Sequence, residues 1–152
     1  SSDRINWNGV DLILSAAHNS ESLSHDLGRL GQERHVLVVG MTQKQDLSET
    51  TEPLLLSDCR IQTVVTEVHG GRTPSVPAGE LSKILSGHSE VAPMIIEEPI
   101  EAVDGASRLA IEEGCIVYVT GSVYLVGRVV GELASREGGD LWDYLEAHPS
   151  RS

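Results

Sequence analysis

The chain has 152 residues, of which 23 are Asp or Glu and 11 are Lys or Arg, so its formal net charge is -12. This length suits one compact domain with a sizeable core. The acidic balance argues against nucleic acid and anionic membranes as main partners, because both need a cationic surface. No apolar run approaches the ~20 residues that span a bilayer.

Five apolar runs predict strands, and segments with helical spacing separate them. The predicted strands cover residues 10–14, 35–39, 61–66, 92–96 and 116–120. The predicted helices cover residues 20–30, 46–56, 78–86, 100–113 and 122–136. This alternation predicts an α/β, Rossmann-like three-layer domain with a mostly parallel sheet of five or six strands. We expect the domain to occupy residues 1–136 and a tail to occupy 137–152, where 141–145 could add a short helix.

The two cysteines, Cys59 and Cys115, both border apolar runs and lack the spacing of a metal site. Free buried thiols in a reducing compartment are therefore favoured over a disulfide. The first four residues show no secretory pattern, so a cytoplasmic or organellar-matrix location is expected.

Polar residues follow the first predicted strand, where His18 and Asn19 precede a helix. In an open α/β sheet, ligands bind outside the carboxyl ends of the strands, so these two side chains are candidates for a polar ligand site. The alternative is that Asn19 or Ser20 only caps the helix and His18 packs against its neighbours.

Two further loops carry cations at the same predicted edge. Lys44 lies in the loop after the second strand, where its ammonium could reach a carboxylate or phosphate, or could simply be solvated. Arg72 follows Gly70 and Gly71, and its planar guanidinium suits a carboxylate or phosphate, the alternative being an ordinary surface loop.

The stretch from Cys115 to Ala134 is a buried-strand run that stops at Thr120-Gly121-Ser122 and continues as an apolar helix. Gly121 permits a tight turn, and Ser122 can cap the next helix. The turn therefore offers backbone N–H groups and a hydroxyl to an anionic ligand. Ser122 is either a ligand contact or an N-cap alone.

Three segments, in this order, resemble motifs of the folylpolyglutamate and dihydrofolate synthases, members of the Mur ligase superfamily. Residues 14–20 (LSAAHNS) resemble Leu-Asp-x-Ala-His-Asn-Pro, and residues 38–46 (VVGMTQKQD) resemble Val-Gly-x-x-x-Asp-Lys-Asp. Residues 120–129 (TGSVYLVGRV) look like the Gly-Ser motif. The resemblance spans roughly residues 9–133 and covers only the C-terminal domain of the family. In the first motif Ser15 stands in place of the Asp, which removes an acceptor suited to ribose hydroxyls or to orienting the histidine, and Ser20 stands in place of the Pro.

The resemblance implies nucleotide contacts for His18 and Asn19, and substrate contacts for Ser122, Lys44 and Arg72. It implies an enzyme that uses ATP and Mg to activate a folate or pteroate carboxylate for attack by glutamate. The phosphate loop G-x-x-x-x-G-K-[ST] is absent from this sequence, so a P-loop domain, in cis or in trans, would hold most of the nucleotide and metal. We expect no catalytic residue and no metal ligand in this chain, which alone should not make amide bonds. The alternative is a non-catalytic binding or interaction module that kept the fold.

Overall fold

One mixed sheet forms the centre of the computed structural model, which describes residues 2–17, 19–43, 47–55, 58–87 and 91–136. Its strands are β1 (Ser2–Trp7), β2 (Val10–Ser15), β3 (His35–Val39), β4 (Arg60–Val65), β5 (Met94–Ile95) and β6 (Ile116–Thr120). They lie in the order β1-β2-β6-β3-β4-β5, in which only β1 is antiparallel to its neighbour. The predicted α/β class with a mostly parallel sheet is confirmed.

The helices cover both faces of this sheet, which makes three layers. They are α1 (Ser20–Leu30), α2 (Leu47–Leu55), α3 (Ala78–Ser86), α4 (Pro99–Glu113) and α5 (Val123–Arg136). Helices α4 and α5 pack on the face that carries Val36 and Val38, and α1, α2 and α3 pack on the face that carries Leu37 and Val39. Because β3 and β6 are buried on both faces, they read as continuous apolar runs without alternation.

Strand β1 was not among the predicted strands. Its sequence SDRINW places only Ile5 and Trp7 toward the core, so the apolar signal is weak. The turn that joins it to β2 is Asn8-Gly9, and both residues have positive φ (51° and 89°). This dipeptide is a strong sequence signal for a two-residue hairpin, and it would have identified the strand.

The other predicted helices and strands are found within a few residues of their expected bounds, except that one strand is much shorter than predicted. The run at 92–96 forms a strand only at Met94–Ile95. The predicted tail at 137–152 and its short helix lie outside the described residues. In the described part, no helix combines the length and apolarity needed to cross a membrane. Cys59 and Cys115 are both free thiols, as expected, but both are half-buried, because each lies at the end of a strand and not within it.

Candidate functional site

Four neighbouring strands, β2, β6, β3 and β4, run parallel and therefore end at one edge of the sheet. The residues that follow them include Asn19, Ser122 and Arg72, so the fold brings these three predicted site residues to that edge. We call it the carboxyl edge. His18 and Lys44 lie outside the described residues, and their roles stay predictions.

Asn19 is the N-cap of α1. Its backbone is extended (φ -140°, ψ 167°), and its Oδ1 accepts a hydrogen bond from the Ser22 N–H at 2.8 Å. Its carbonyl oxygen accepts from the N–H of Leu23 at 3.0 Å. Asn19 therefore does cap α1, as one of the two interpretations required, and its ligand role stays a prediction. The cap uses only one end of the exposed side-chain amide, and its NH₂ group is the donor that could meet a ligand.

Gly40 and Gly121 bring the ends of β3 and β6 into direct backbone contact. Gly121 has a φ of 116°, and a side chain there would overlap the carbonyl oxygen of Gly40. The Gly40 N–H donates to the carbonyl oxygen of Thr120 at 3.4 Å. A glycine is required at 121 for both reasons, and the tight turn that results leads directly into Ser122.

Ser122 caps the start of α5. It is 5% exposed, and its Oγ accepts a hydrogen bond from the Tyr124 N–H at 3.1 Å. Its carbonyl oxygen accepts from the Val126 N–H at 3.2 Å. A serine hydroxyl can accept at the cap and still donate its hydrogen elsewhere, so the cap and a ligand contact are compatible.

The long loop after β4 is tied to the loop after β3. The Val68 N–H donates to Ser75 Oγ at 2.8 Å, and the Val76 N–H donates to the carbonyl oxygen of Met41 at 2.8 Å. Thr42 and Ser75 form an antiparallel bridge. These bonds hold the two loops as one unit at the carboxyl edge.

Gly71 connects that loop to α5. A Cβ on Gly71 would lie 2.9 Å from Cε2 of Tyr124, so the aromatic ring packs on the glycine where a side chain would otherwise be. Arg72 follows directly, and its side chain is exposed. The contact therefore places an exposed guanidinium on a loop that touches the first turn of α5, two residues beyond Ser122.

A cavity of about 430 Å³ opens at the same edge, on the side of α4 and α5. Its lining comprises Glu67, Val68, His69, Glu97, Glu98, Pro99, Tyr124, Leu125 and Arg128. None of the predicted site residues lines it, and no motif in the sequence indicated it. Its charged lining residues are three glutamates and one arginine, Arg128.

Two of these glutamates already have structural partners. The Glu67 carboxylate accepts from the Ala78 N–H at 2.9 Å, at the start of α3. The Glu98 carboxylate accepts from the Glu101 N–H at 2.7 Å and pairs with Arg128 at 3.4 Å. Among the described residues, no group of three or more His, Cys, Asp or Glu side chains could hold a metal ion. We therefore assign no metal ligand to this part of the chain.

A buried polar group lies beneath the edge, between β2, β6 and α1. Ser15 and Thr120 are 0% exposed and Asp26 is 3% exposed. The Ser15 hydroxyl donates to the Asp26 carboxylate. Burial raises the pKa of Tyr118, with a smaller contribution from the negative charge of Asp26, so the Tyr118 phenol stays protonated. Sequence reasoning missed Asp26.

The topology defines a Rossmann-like three-layer α/β domain. No protein-family model and no curated protein matches the sequence. Solved structures do match it. The bifunctional folylpolyglutamate synthase/dihydrofolate synthase of Yersinia pestis, complexed with AMPPNP and a Mn ion, is 26% identical with a TM-score of 0.62, over 81% of this chain and 28% of that one.

Two more distant matches agree in fold. The folylpolyglutamate synthase of Thermotoga maritima is 22% identical with a TM-score of 0.71, over 93% of this chain and 32% of that one. That of Mycobacterium tuberculosis, complexed with ADP and AMPPCP, is 19% identical with a TM-score of 0.73, over 91% of this chain and 32% of that one. The chain thus resembles folylpolyglutamate and dihydrofolate synthases, as its three motifs predicted, and spans about a third of their length.

Proposed function

We propose that this chain is the C-terminal domain of an ATP-dependent ligase that adds glutamate to a folate or pteroate carboxylate through an acyl phosphate. In this proposal the domain supplies the glutamate pocket and part of the nucleotide site. A P-loop domain, in cis or in trans, holds most of the ATP and Mg. The observation that carries the proposal is the position of Asn19, Ser122 and Arg72 at one edge of a fold shared with these synthases.

The glutamate pocket is assigned to the β6 end of the edge. Ser122 donates its hydroxyl hydrogen to a carboxylate of the incoming glutamate, while its oxygen keeps the Tyr124 N–H. Arg72, on the loop that packs against Tyr124, offers a fork for the second carboxylate. Lys44, outside the described residues, is the remaining cation assigned to the substrate. Because these groups bind and orient glutamate without touching the transferred phosphate, they act by positioning the amine.

The nucleotide contacts are assigned to the β2 end. The NH₂ group of Asn19 donates to the nucleotide, and His18, which is not among the described residues, completes the pair that the first motif implies. A ligand held between these contacts and a second domain needs both halves of the cleft. Binding by this chain alone should therefore be weak.

A non-catalytic module is the second candidate, and one observation favours it. Ser15 stands where the first motif has an acid, so β2 carries a hydroxyl there and no carboxylate. Such a module would bind glutamate or nucleotide without supporting ligation, so the two candidates differ in turnover and not in binding.

The decisive experiment joins the full 152-residue chain to the N-terminal part of the Yersinia pestis synthase and measures glutamate-dependent product with a folate substrate. We expect turnover. We expect Ser122→Ala to raise the KM for glutamate by about tenfold or more and to change the KM for ATP less, because a hydrogen bond to a charged group contributes about 1.5–3 kcal/mol. Ser107→Ala, which removes a buried hydroxyl from α4, is the matched control and should change neither.

Two results would count against the proposal. A folded fusion without turnover would favour the module, provided that glutamate or ATP still shifts amide resonances of Gly121 and Ser122 in the free chain. Equal effects of Ser122→Ala on both substrates would mean that Ser122 is only a helix cap.

A further inference from the structure

We infer that Asp26 is a positioning residue of the carboxyl edge, and that its carboxylate supplies from α1 the acid that Ser15 has replaced on β2. The consequence for nucleotide binding rests on the proposed function. The structural half of the inference does not, because it concerns only how the turn before α1 is held.

Asp26 occupies a position that helical spacing reserves for an apolar side chain. Leu23, Leu27 and Leu30 pack toward the sheet from α1, and Asp26 falls on the same face. Among the described residues it is the sole carboxylate that is so buried, at 3% exposure. Burying a carboxylate costs free energy that an apolar side chain at the same helix position would not cost. A carboxylate at this position therefore indicates a specific role.

The hydrogen bonds of Ser15 indicate what the Asp26 carboxylate does. Its hydroxyl hydrogen is donated to Asp26, and its Oγ accepts the N–H of Ala17 at 3.3 Å. A serine hydroxyl carries one hydrogen, and the charge on Asp26 decides where it points. The lone pairs are then directed at Ala17. Asp26 thus fixes, through Ser15, the backbone that leads to Asn19.

The side chains around Asp26 carry hydroxyl groups, which suit a carboxylate. Ser15 pairs in register with Thr120, and the hydroxyls of Thr120 and Tyr118 are both buried on this face of β6. The Tyr118 hydroxyl interacts with the hydroxyls of Ser15 and Thr120 and lies in the field of the Asp26 carboxylate. Three hydroxyls beside one carboxylate form a polar chamber, and an apolar residue at position 26 would leave that chamber without its charged acceptor.

This arrangement means that one acid is accommodated at either position 15 or position 26. An acid can stand at 15 or at 26, but two carboxylates in one buried chamber repel each other. Ser15→Asp alone should therefore destabilise the domain, and Ser15→Asp combined with Asp26→Ser should recover the loss. A residue with a general packing role would not be rescued by moving its acid to the other strand.

The experiment measures two quantities in the full chain, the unfolding midpoint in urea and the hydrogen-exchange rate of the Ala17 amide. We expect Asp26→Asn to speed Ala17 exchange about five- to tenfold, because a charge-assisted bond becomes a neutral one. The double variant should bring the midpoint back above that of Ser15→Asp. Asp104→Asn, which changes an acid on the opposite face, is the control and should not alter Ala17 exchange beyond any global loss of stability.

The fusion used for the proposed function provides the third readout. There Asp26→Asn should raise the KM for ATP about fivefold and leave the KM for glutamate within twofold. An inactive wild-type fusion would refute the proposed function but leave the exchange and rescue measurements decisive. Unchanged Ala17 exchange in Asp26→Asn, or a double variant no more stable than Ser15→Asp, would overturn the inference. If Asp26→Asn does not fold, the comparison of Ser15→Asp with the double variant decides the inference alone.

Discussion

The guanidinium of Arg136 lies over the ring of Trp7, 4.4 Å from its centre. Both side chains also bind Asp104 on α4, Trp7 through its indole N–H at 2.8 Å and Arg136 through two N–H groups at 3.2 and 3.1 Å. This cluster joins the last residue of β1 to the last residue of α5. It therefore links the first strand to the last helix of the described chain, although they lie far apart in sequence.

Asp104→Asn should lower the free energy of unfolding by about 1–3 kcal/mol at neutral pH. Burial alone raises the pKa of Asp104, but the hydrogen bonds from Arg136 and Trp7 outweigh it, and the net pKa is lowered. An acid with a lowered pKa contributes its full stability above its ordinary range, and the contribution begins to be lost as the pH falls below about 4. Urea unfolding at pH 7 and pH 3 measures both effects, and the difference in stability between the variant and the parent should be smaller at the lower pH. Asp11→Asn, which breaks an exposed pair with Arg4, is the control and should change stability by less than ~1 kcal/mol.

Gly121→Ala should destabilise the domain by about 1–3 kcal/mol or more, because it adds a left-handed backbone strain to an overlap with the Gly40 carbonyl. Gly127→Ala, in the helix α5 that follows this turn, is the matched control. No atom lies within 4 Å of the new Cβ there, and alanine favours a helix by about 0.5–1 kcal/mol, so this variant should be more stable than the parent. Thermal unfolding separates the two. A neutral Gly121→Ala would show that the β3 and β6 ends are looser than the structure places them.

His35→Phe should flatten the dependence of stability on pH between about 7 and 5. Burial lowers the pKa of His35, and the hydrogen-bonding contact of Nδ1 with the Glu33 carbonyl at 3.1 Å only partly offsets this. The unfolded chain then binds the proton more readily, so stability falls as the pH drops through the ordinary histidine value near 6.5. Phenylalanine keeps a ring beside Tyr118, whose centre lies 5.9 Å away. The free energy of unfolding in urea at several pH values, measured for the variant and the parent, tests this.

The chain alone should hydrolyse no ATP and form no glutamate-dependent product with any folate. It contains no phosphate loop, and its described residues hold no metal cluster. Release of inorganic phosphate from ATP, measured with and without glutamate, is the assay. Turnover that copurifies with the chain through two unrelated columns would contradict this prediction.

The sequence predicted the elements in which the spacing of apolar residues matches the faces that the fold buries. Strands β3 and β6 read as unbroken apolar runs because both faces are covered, and the predicted bounds are those observed. The edge strands β1 and β5 were harder to predict, since they bury few or no side chains in the core and their apolar pattern is weak. In β1 the buried side chains are Ile5 and Trp7, and in β5 both residues are exposed.

The positions of the candidate site residues were predictable where a motif falls at the end of a strand, and the grouping of residues was not predictable where the fold combines distant segments. Asn19, Ser122 and Arg72 could be placed from chain order alone, because parallel strands share one carboxyl edge. The cavity beside Tyr124 combines the loops after β4 and β5 with α5, and nothing local links those segments. Asp26 could have been found, since an acid in the series Leu23, Leu27 and Leu30 breaks the apolar face of a helix.

The hairpin formed by β1 and β2 also determines where the chain enters the domain. Because β1 runs antiparallel, its first residue, Ser2, pairs with Ser15, the last residue of β2. A parallel edge strand would have started at the opposite end of the sheet. Any polypeptide joined ahead of Ser2 would therefore arrive beside Ser15, at the carboxyl edge. In the proposed ligase, a short connection there would suffice to hold the second domain against this edge, and its length would limit how far the cleft could open.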